Sequence, residues 1–499
     1  MSRAFAVVAV VAALALAAFA VARGTWAVGG SDSSCYGLMA KAFSAGQLQP
    51  SSALALDAPW PNAAITFAPG GFKPGLTPEV AMPICAPGMS VLMAPLAMAF
   101  GQDAIFWLTP IAAAALVLAA FALGTQLAGG LAGATAAILT ATSPIVLYQS
   151  VQPMNDIVTA ALWLGALALV RRHVLCGILI GLAILVRPNL APLALVPAAM
   201  LMVERGFTRP AWRSLALMVA ASLPGALLLL FLNHALYGSA LGSGYGSAAS
   251  LFSTSHVRDN MANYGRALFQ TQHLVPALGL LAPLMLAGRQ RWISASLLLF
   301  AAIEGGIYLL YEPFPEWWYL RFLIPAIVVM LVLASTFAVQ AMSRASMSGV
   351  IPIAAVIVGL WCLREAGQRQ VLQLQQFEGR YRATGELVRD RLPENAVLIT
   401  EWQSGSIRFH AGREVVLWES FDPAWLDRAL TWLRSKGYQP YLLFERREER
   451  EFRDRFNGQS EVGALDWPPR FDLNRQIRIY DPADRARFVA GESYVTENR

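Results

Sequence analysis

Apolar runs punctuated by short polar or Gly/Pro-rich breaks follow one another from the N-terminus to about residue 363, and beyond Arg364 the pattern turns charged. The first run, 4–22, follows Arg3 and is long enough to span a bilayer. Ala18-Phe19-Ala20 would also suit a signal-peptide cleavage site, but the run exceeds the usual h-region, so a retained span is expected. Further runs cover 104–123, 131–147, 157–170, 175–186, 190–203, 215–231, 274–287, 293–311, 322–342 and 350–363. The pattern therefore predicts an α-helical polytopic membrane protein with about eleven transmembrane helices. The stretch 175–203 also reads as one span broken at Arg187-Pro188. Residues 88–100 are apolar but short and Pro-flanked, as in an interfacial or re-entrant helix.

Two long loops interrupt the runs. Residues 24–87 are rich in Gly, Pro, Ser and Ala, with a short helix expected over 33–47, capped by Ser31 or Asp32. Residues 237–273 begin with a Gly/Ser-dense head, 238–246, which reads as a flexible linker. With the N-terminus in the cytoplasm, Arg171 and Arg172, then Arg205, Arg209 and Arg213, then Arg289 and Arg291, and finally Arg344 all fall inside. Both long loops then lie outside, as do Asp156, Glu312, Glu316 and the interfacial cluster Trp317, Trp318 and Tyr319. An odd number of spans leaves the tail, 364–499, outside as well. Its pattern predicts a small soluble α/β domain: a helix over 370–392, buried strands at 396–400 and 441–444, and between them a helix over 423–436 with Asp422 as its cap and Pro423 in its first turn. The domains are thus 1–363 and 364–499.

Composition agrees with lipid as the main solvent. The 499 residues are 56% hydrophobic and 14% charged, with a mean hydropathy of +0.49. The net charge of +6 does not indicate nucleic-acid binding, because the arginines sit singly between apolar runs or in a mixed-sign tail. The four cysteines show no metal-knuckle spacing. Cys35 and Cys85 share the first loop and either bridge or stay two separate thiols, the plainer expectation; Cys176 and Cys362 fall in or beside spans.

Candidate chemistry gathers on the outer side. Asp32, in Gly29-Gly30-Ser31-Asp32, offers a carboxylate at the membrane surface that suits a general base, and equally a helix cap. Asp156 opens a span and admits the same two readings. Arg187 and Arg321 interrupt apolar sequence, where a guanidinium either snorkels or binds a lipid phosphate. Tyr245 and His256, with His273, lie in the second loop, which suits a cover over a lipid-linked substrate; a surface role is the default for each histidine.

In order and sidedness these residues resemble the GT-C superfamily, in particular polyprenyl-phosphate-sugar enzymes such as the protein O-mannosyltransferases and the lipid A aminoarabinose transferases. Asp32 stands where that family has its catalytic base, followed by Tyr36 and a helix ending near Gly46. Asp156 matches a second acid opening a later span. Gly181-Leu182-Ala183 with Arg187-Pro188, and Arg321-Phe322-Leu323 with Pro325, match two further stretches. The resemblance covers 1–363. It departs in having a single acid between Ser31 and Ser33, and in a degenerate Lys-Pro motif, with Lys73-Pro74-Gly75-Leu76 as one candidate. It implies a GT-C-like fold in a bacterial-type inner membrane and a polyprenyl-phosphate-sugar donor. It further implies a glycan, lipid or protein acceptor, Asp32 and Asp156 as catalytic residues, and Arg187, Arg321, Lys73 and Tyr319 at the donor phosphate. No nucleotide cofactor is implied; a divalent metal stays open. A transporter or lipid flippase, or a non-catalytic scaffold, is the alternative.

Overall fold

The computed structural model describes residues 2–492 and 495–498. Two compact units make up the chain: Met1–Thr25, Phe106–Phe231 and Gly246–Gln375 in the first, and Trp26–Ile105, Leu232–Tyr245 and Gln376–Arg499 in the second. Among the described residues, six helices are long and apolar enough to cross a membrane: Arg3–Ala22, Gln102–Ala128, Arg209–Tyr237, Gly288–Leu310, Trp317–Arg344 and Val350–Gln368. Gly130–Thr142 and Pro144–Ser150 meet at 60° and form a seventh if they are one broken span. The bend falls at Ser143-Pro144, where the proline ring starts a new helix rather than continuing the old one. Gly88–Phe100, Asn155–Ala168, His173–Val186 and Pro276–Met285 are shorter apolar helices. The protein is thus a multi-pass, mainly helical membrane protein.

Helix Trp317–Arg344 forms much of the first unit's interior, with Val328, Val329, Val332 and Leu333 fully buried. Helices His173–Val186 and Arg209–Tyr237 meet at glycines: a Cβ on Gly177 would come within 2.1 Å of the Met218 carbonyl oxygen, and one on Gly181 within 2.5 Å of that of Ser222. Such close backbone approach lets helices pack in lipid, where dispersion replaces hydrophobic driving force. The chain does break at Arg187-Pro188: the helix ends at Val186, Arg187 leaves helical geometry, and a 3-10 turn, Pro188–Ala194, leads into helix Leu195–Arg205.

The second unit contains a six-stranded sheet. Ala396–Ile399 lies between Glu414–Val416 and Gln439–Glu445, all parallel. Beyond Gln439–Glu445 the sheet continues with Ile477–Tyr480 and Phe471–Leu473, both antiparallel to their inner neighbours, and ends at Glu497–Asn498. The Asp422 carboxylate accepts the Ala424 amide as expected, capping a 3-10 turn that runs into helix Leu426–Ser435. The expected helix over 370–392 is a 3-10 turn, Val371–Gln373, followed by Leu374–Arg391. The first loop contributes to the sheet's core: Trp60 and Phe67 pack with Trp418, Phe421 and Phe444, and Trp60 meets Trp432 edge-on at 5.2 Å. The Leu417 amide donates to the Thr66 carbonyl at 2.7 Å. Composition changes at residue 364, yet this core is shared between segments far apart in sequence.

Three local expectations are corrected. The helix expected over 33–47 is Gly30–Ser44, with Gly29 at its N-cap and neither Ser31 nor Asp32 capping it. Cys35 and Cys85 are not separate thiols but a disulfide, S–S 2.04 Å. The Gly/Ser head of the second loop is pinned rather than a loose linker: Lys73 Nζ donates to the Gly244 carbonyl at 3.1 Å, and the Tyr237 hydroxyl donates to the carbonyls of Pro83 and Cys85.

Candidate functional site

The sequence candidates fall into two groups, one in each unit. In the second unit, Asp32 is the third residue of helix Gly30–Ser44 and half-buried. Placed there, its carboxylate favours the helix macrodipole, while the cap itself is Gly29, which supplies no side-chain bond. Two glycines let the backbone crowd around this turn: a Cβ on Gly29 would lie 2.3 Å from the Tyr381 ring, and one on Gly71 would lie 2.2 Å from the Ser31 carbonyl oxygen. One helical turn beyond Asp32, the Cys35–Cys85 bridge ties the helix to the strand pair Phe72–Pro74 and Ala81–Pro83. Lys73 is exposed on that pair, and Tyr245 is exposed at the end of the pinned Gly/Ser segment.

The first unit holds a buried polar cluster. Asp156, in the first turn of helix Asn155–Ala168, does not cap it. Its Oδ1 accepts from Arg187 Nη2 at 2.6 Å, and its Oδ2 has no partner in hydrogen-bonding geometry. Arg187 also donates to Asn155 Oδ1 at 3.1 Å and lies over the rings of Phe322, at 5.5 Å, and Tyr308, at 6.0 Å. The Tyr308 hydroxyl in turn accepts from Asn189 Nδ2 at 3.1 Å. The residue at which the helix breaks before Pro188 is thus the one whose side chain pairs with Asp156.

Sequence reasoning missed Glu304. It lies inside helix Gly288–Leu310, fully buried, with neither oxygen bonded in hydrogen-bonding geometry, and Arg187 is near enough to act on it electrostatically. The signal was present: an acid within the apolar run 293–311 is expensive in a membrane and marks function or pairing. Near the cluster's rim Arg321 lies over the rings of Phe322, at 5.1 Å, and Tyr319, at 5.3 Å, and Tyr319 stacks on Phe314. His256 is occupied otherwise: its Nδ1 donates to the Leu310 carbonyl at 3.1 Å, and Asn260 donates to the carbonyls of Leu309 and Tyr311, docking helix Val257–Gln272 on the end of Gly288–Leu310. Thus Asp156, Arg187, Arg321 and Tyr319 share one unit with His256, and Asp32, Lys73 and Tyr245 share the other.

Among the described residues no three His, Cys, Asp or Glu side chains converge to hold a metal ion, so the donor set does not match a closed metal site.

No family model matches the sequence, and no curated protein matches it either. Solved structures do match. ArnT from Cupriavidus metallidurans bound to undecaprenyl phosphate is 12% identical with a TM-score of 0.59, over 91% of this chain and 95% of that one. Its apo form gives 13% and 0.58, over 90% and 94%. The archaeal oligosaccharyltransferase AglB from Archaeoglobus fulgidus, in complex with an inhibitory peptide and a dolichol-phosphate, gives 15% and 0.52, over 88% and 69%. The chain shares its fold with these solved structures.

Proposed function

We propose that this protein is a glycosyltransferase that takes a sugar from a polyprenyl-phosphate carrier on the extracytoplasmic face of the inner membrane and passes it to an acceptor hydroxyl on a glycan, lipid or protein. The observation that carries the reading is the shared fold with ArnT bound to undecaprenyl phosphate, extending over nearly the whole of both chains. The chain crosses the membrane about eleven times, with the N-terminus cytoplasmic and the tail, 364–499, extracytoplasmic. A Cys35–Cys85 disulfide supports an outside first loop, since such bonds persist in oxidising compartments.

In this reading Asp32 takes the proton from the acceptor hydroxyl as that oxygen attacks the anomeric carbon with inversion. The bond from the anomeric carbon to the phosphate oxygen breaks, and the electron pair leaves with the polyprenyl phosphate. Arg187 and Arg321, with Lys73 and Tyr319, hold that phosphate and offset its growing charge. Asp156 serves by fixing the guanidinium of Arg187, whose pairing at 2.6 Å supports this role. Tyr245 and the segment anchored by His256 cover the substrate. No step is assigned to a metal ion.

Asp32→Asn tests the base. Asn preserves size and the first-turn position but cannot accept the proton. Turnover of undecaprenyl-phosphate hexoses and pentoses should fall about a hundredfold or more, while undecaprenyl phosphate still binds. Full activity would remove Asp32 from the mechanism.

A further inference from the structure

The stretch leading into the Asp32 helix is held from one side by residues more than 350 positions later in the chain. Arg382 Nη1 donates to the Trp26 carbonyl at 3.2 Å, and the same guanidinium is fixed by Asp103 and Glu386, both at 2.8 Å. The Val28 amide donates to His410 Nε2 at 3.2 Å. Gly29 lies so close to helix Leu374–Arg391 that a Cβ there would meet the Tyr381 ring at 2.3 Å and Glu378 Oε2 at 2.5 Å. Further along the Asp32 helix, Lys41 Nζ donates to the Phe409 carbonyl at 3.1 Å, and a Cβ on Gly405 would come within 2.2 Å of Ser34 Oγ. Contacts this tight, on every residue from Val28 to Gly29 and again along the helix, leave the first turn little freedom to translate.

We infer that the C-terminal segment is a positioning clamp for Asp32, in which His410, Arg382 and Tyr381 fix the approach from Trp26 to Gly29 and His410 is the positioning residue on the Val28 amide. The inference rests on the reading of Asp32 as the base. It gives the tail a role in catalysis through geometry: a base displaced by about 1 Å loses much of its advantage, on the order of a hundredfold. The bond requires Nε2 without a proton, and the surroundings keep it so. Burial, then Arg382, Lys41 and Arg389, hold the imidazole down to about 4, with Asp103 the opposing charge. An open cavity of about 350 Å³, lined in part by Asp103, Arg382, Glu386 and Arg389, reaches His410.

His410→Ala and His410→Gln in the full-length protein test the clamp, since a Gln carbonyl can accept the Val28 amide where Ala cannot. Hydrogen exchange at residues 26–32 should rise about tenfold in His410→Ala and return to the wild-type rate in His410→Gln. In parallel, kcat on undecaprenyl-phosphate hexoses and pentoses should fall about tenfold in His410→Ala with the Kd for undecaprenyl phosphate unchanged, and recover in His410→Gln. Unchanged exchange in His410→Ala, or loss of protection throughout the sheet that Gln does not rescue, would overturn the clamp. If Asp32→Asn is inactive while His410→Ala keeps the wild-type kcat, the clamp alone fails. If Asp32→Asn is active, the base reading fails and the clamp's purpose with it.

Discussion

The buried pair of Arg187 and Asp156 makes an asymmetric prediction, because the Glu304 carboxyl group also stands near the arginine. Removing Arg187 strands Asp156, which is fully buried and has no other cation bonded to it among the described residues. A buried charge left unpaired costs about 3–5 kcal/mol. Removing Asp156 instead costs Arg187 one short charge-assisted bond, about 1.5–3 kcal/mol, and leaves Glu304 and the Phe322 and Tyr308 rings to receive the guanidinium. Arg187→Ala should therefore be the less stable of the two by about 1–2 kcal/mol. Glu304→Gln should be mild alone but strongly destabilising on top of Asp156→Ala, since a second acid beside the guanidinium is then gone, with a coupling on the order of 1–3 kcal/mol. Thermal melting of the purified variants in one detergent, followed by tryptophan fluorescence, ranks them. Equal stability of Arg187→Ala and Asp156→Ala, or additivity of Glu304→Gln with Asp156→Ala, would refute the reasoning.

Arg321→Ala should weaken undecaprenyl phosphate binding about ten- to a hundredfold, from the loss of roughly 1.5–3 kcal/mol, as measured by titration; normal binding would leave Arg321 an interface anchor. Replacing Cys35 and Cys85 with Ser opens a loop with a sequence separation of 50 and should cost about 4 kcal/mol by the chain-entropy account, seen as a lower melting temperature matched by reduction of the wild type. Because His410 is held down to about 4 when folded but titrates near 6.5 when unfolded, the unfolded chain binds the extra proton between those values. The stability it supplies is full above about 6.5 and is lost as pH falls towards 4, and His410→Gln should flatten that limb of the melting profile. Alkaline phosphatase fused after the C-terminus should be active and a green fluorescent protein fusion dark; a bright fusion would reverse the topology.

Much of the membrane architecture was legible because lipid leaves the chain few choices. Every backbone polar group must be bonded within its own helix, so the length of an apolar run and the arginines at its ends already say where helices lie. A proline marked the break at Arg187-Pro188, and Asp422-Pro423 announced a helix start, whereas the bend at Ser143-Pro144 fell inside a run read as continuous, 131–147. Asp32, Asp156, Arg187 and Arg321 stood out because polar groups at apolar boundaries are rare, whereas Glu304 passed unnoticed amid a strong apolar run. Partnership was beyond local pattern. Nothing near Asp156 in sequence names Arg187 as its counter-ion, and nothing near Cys35 selects Cys85. Trp60 and Phe67 pack into a sheet core built mainly from residues beyond 396, from turns beside two four-residue helices too brief to show a period. The break at Arg187-Pro188 and the helix start at Pro423 depend on neighbours within a few residues, so the sequence alone determined them. Which carboxylate meets which cation, and that the tail grips the approach to Asp32, depend on distances between remote segments, and only the tertiary structure decided those.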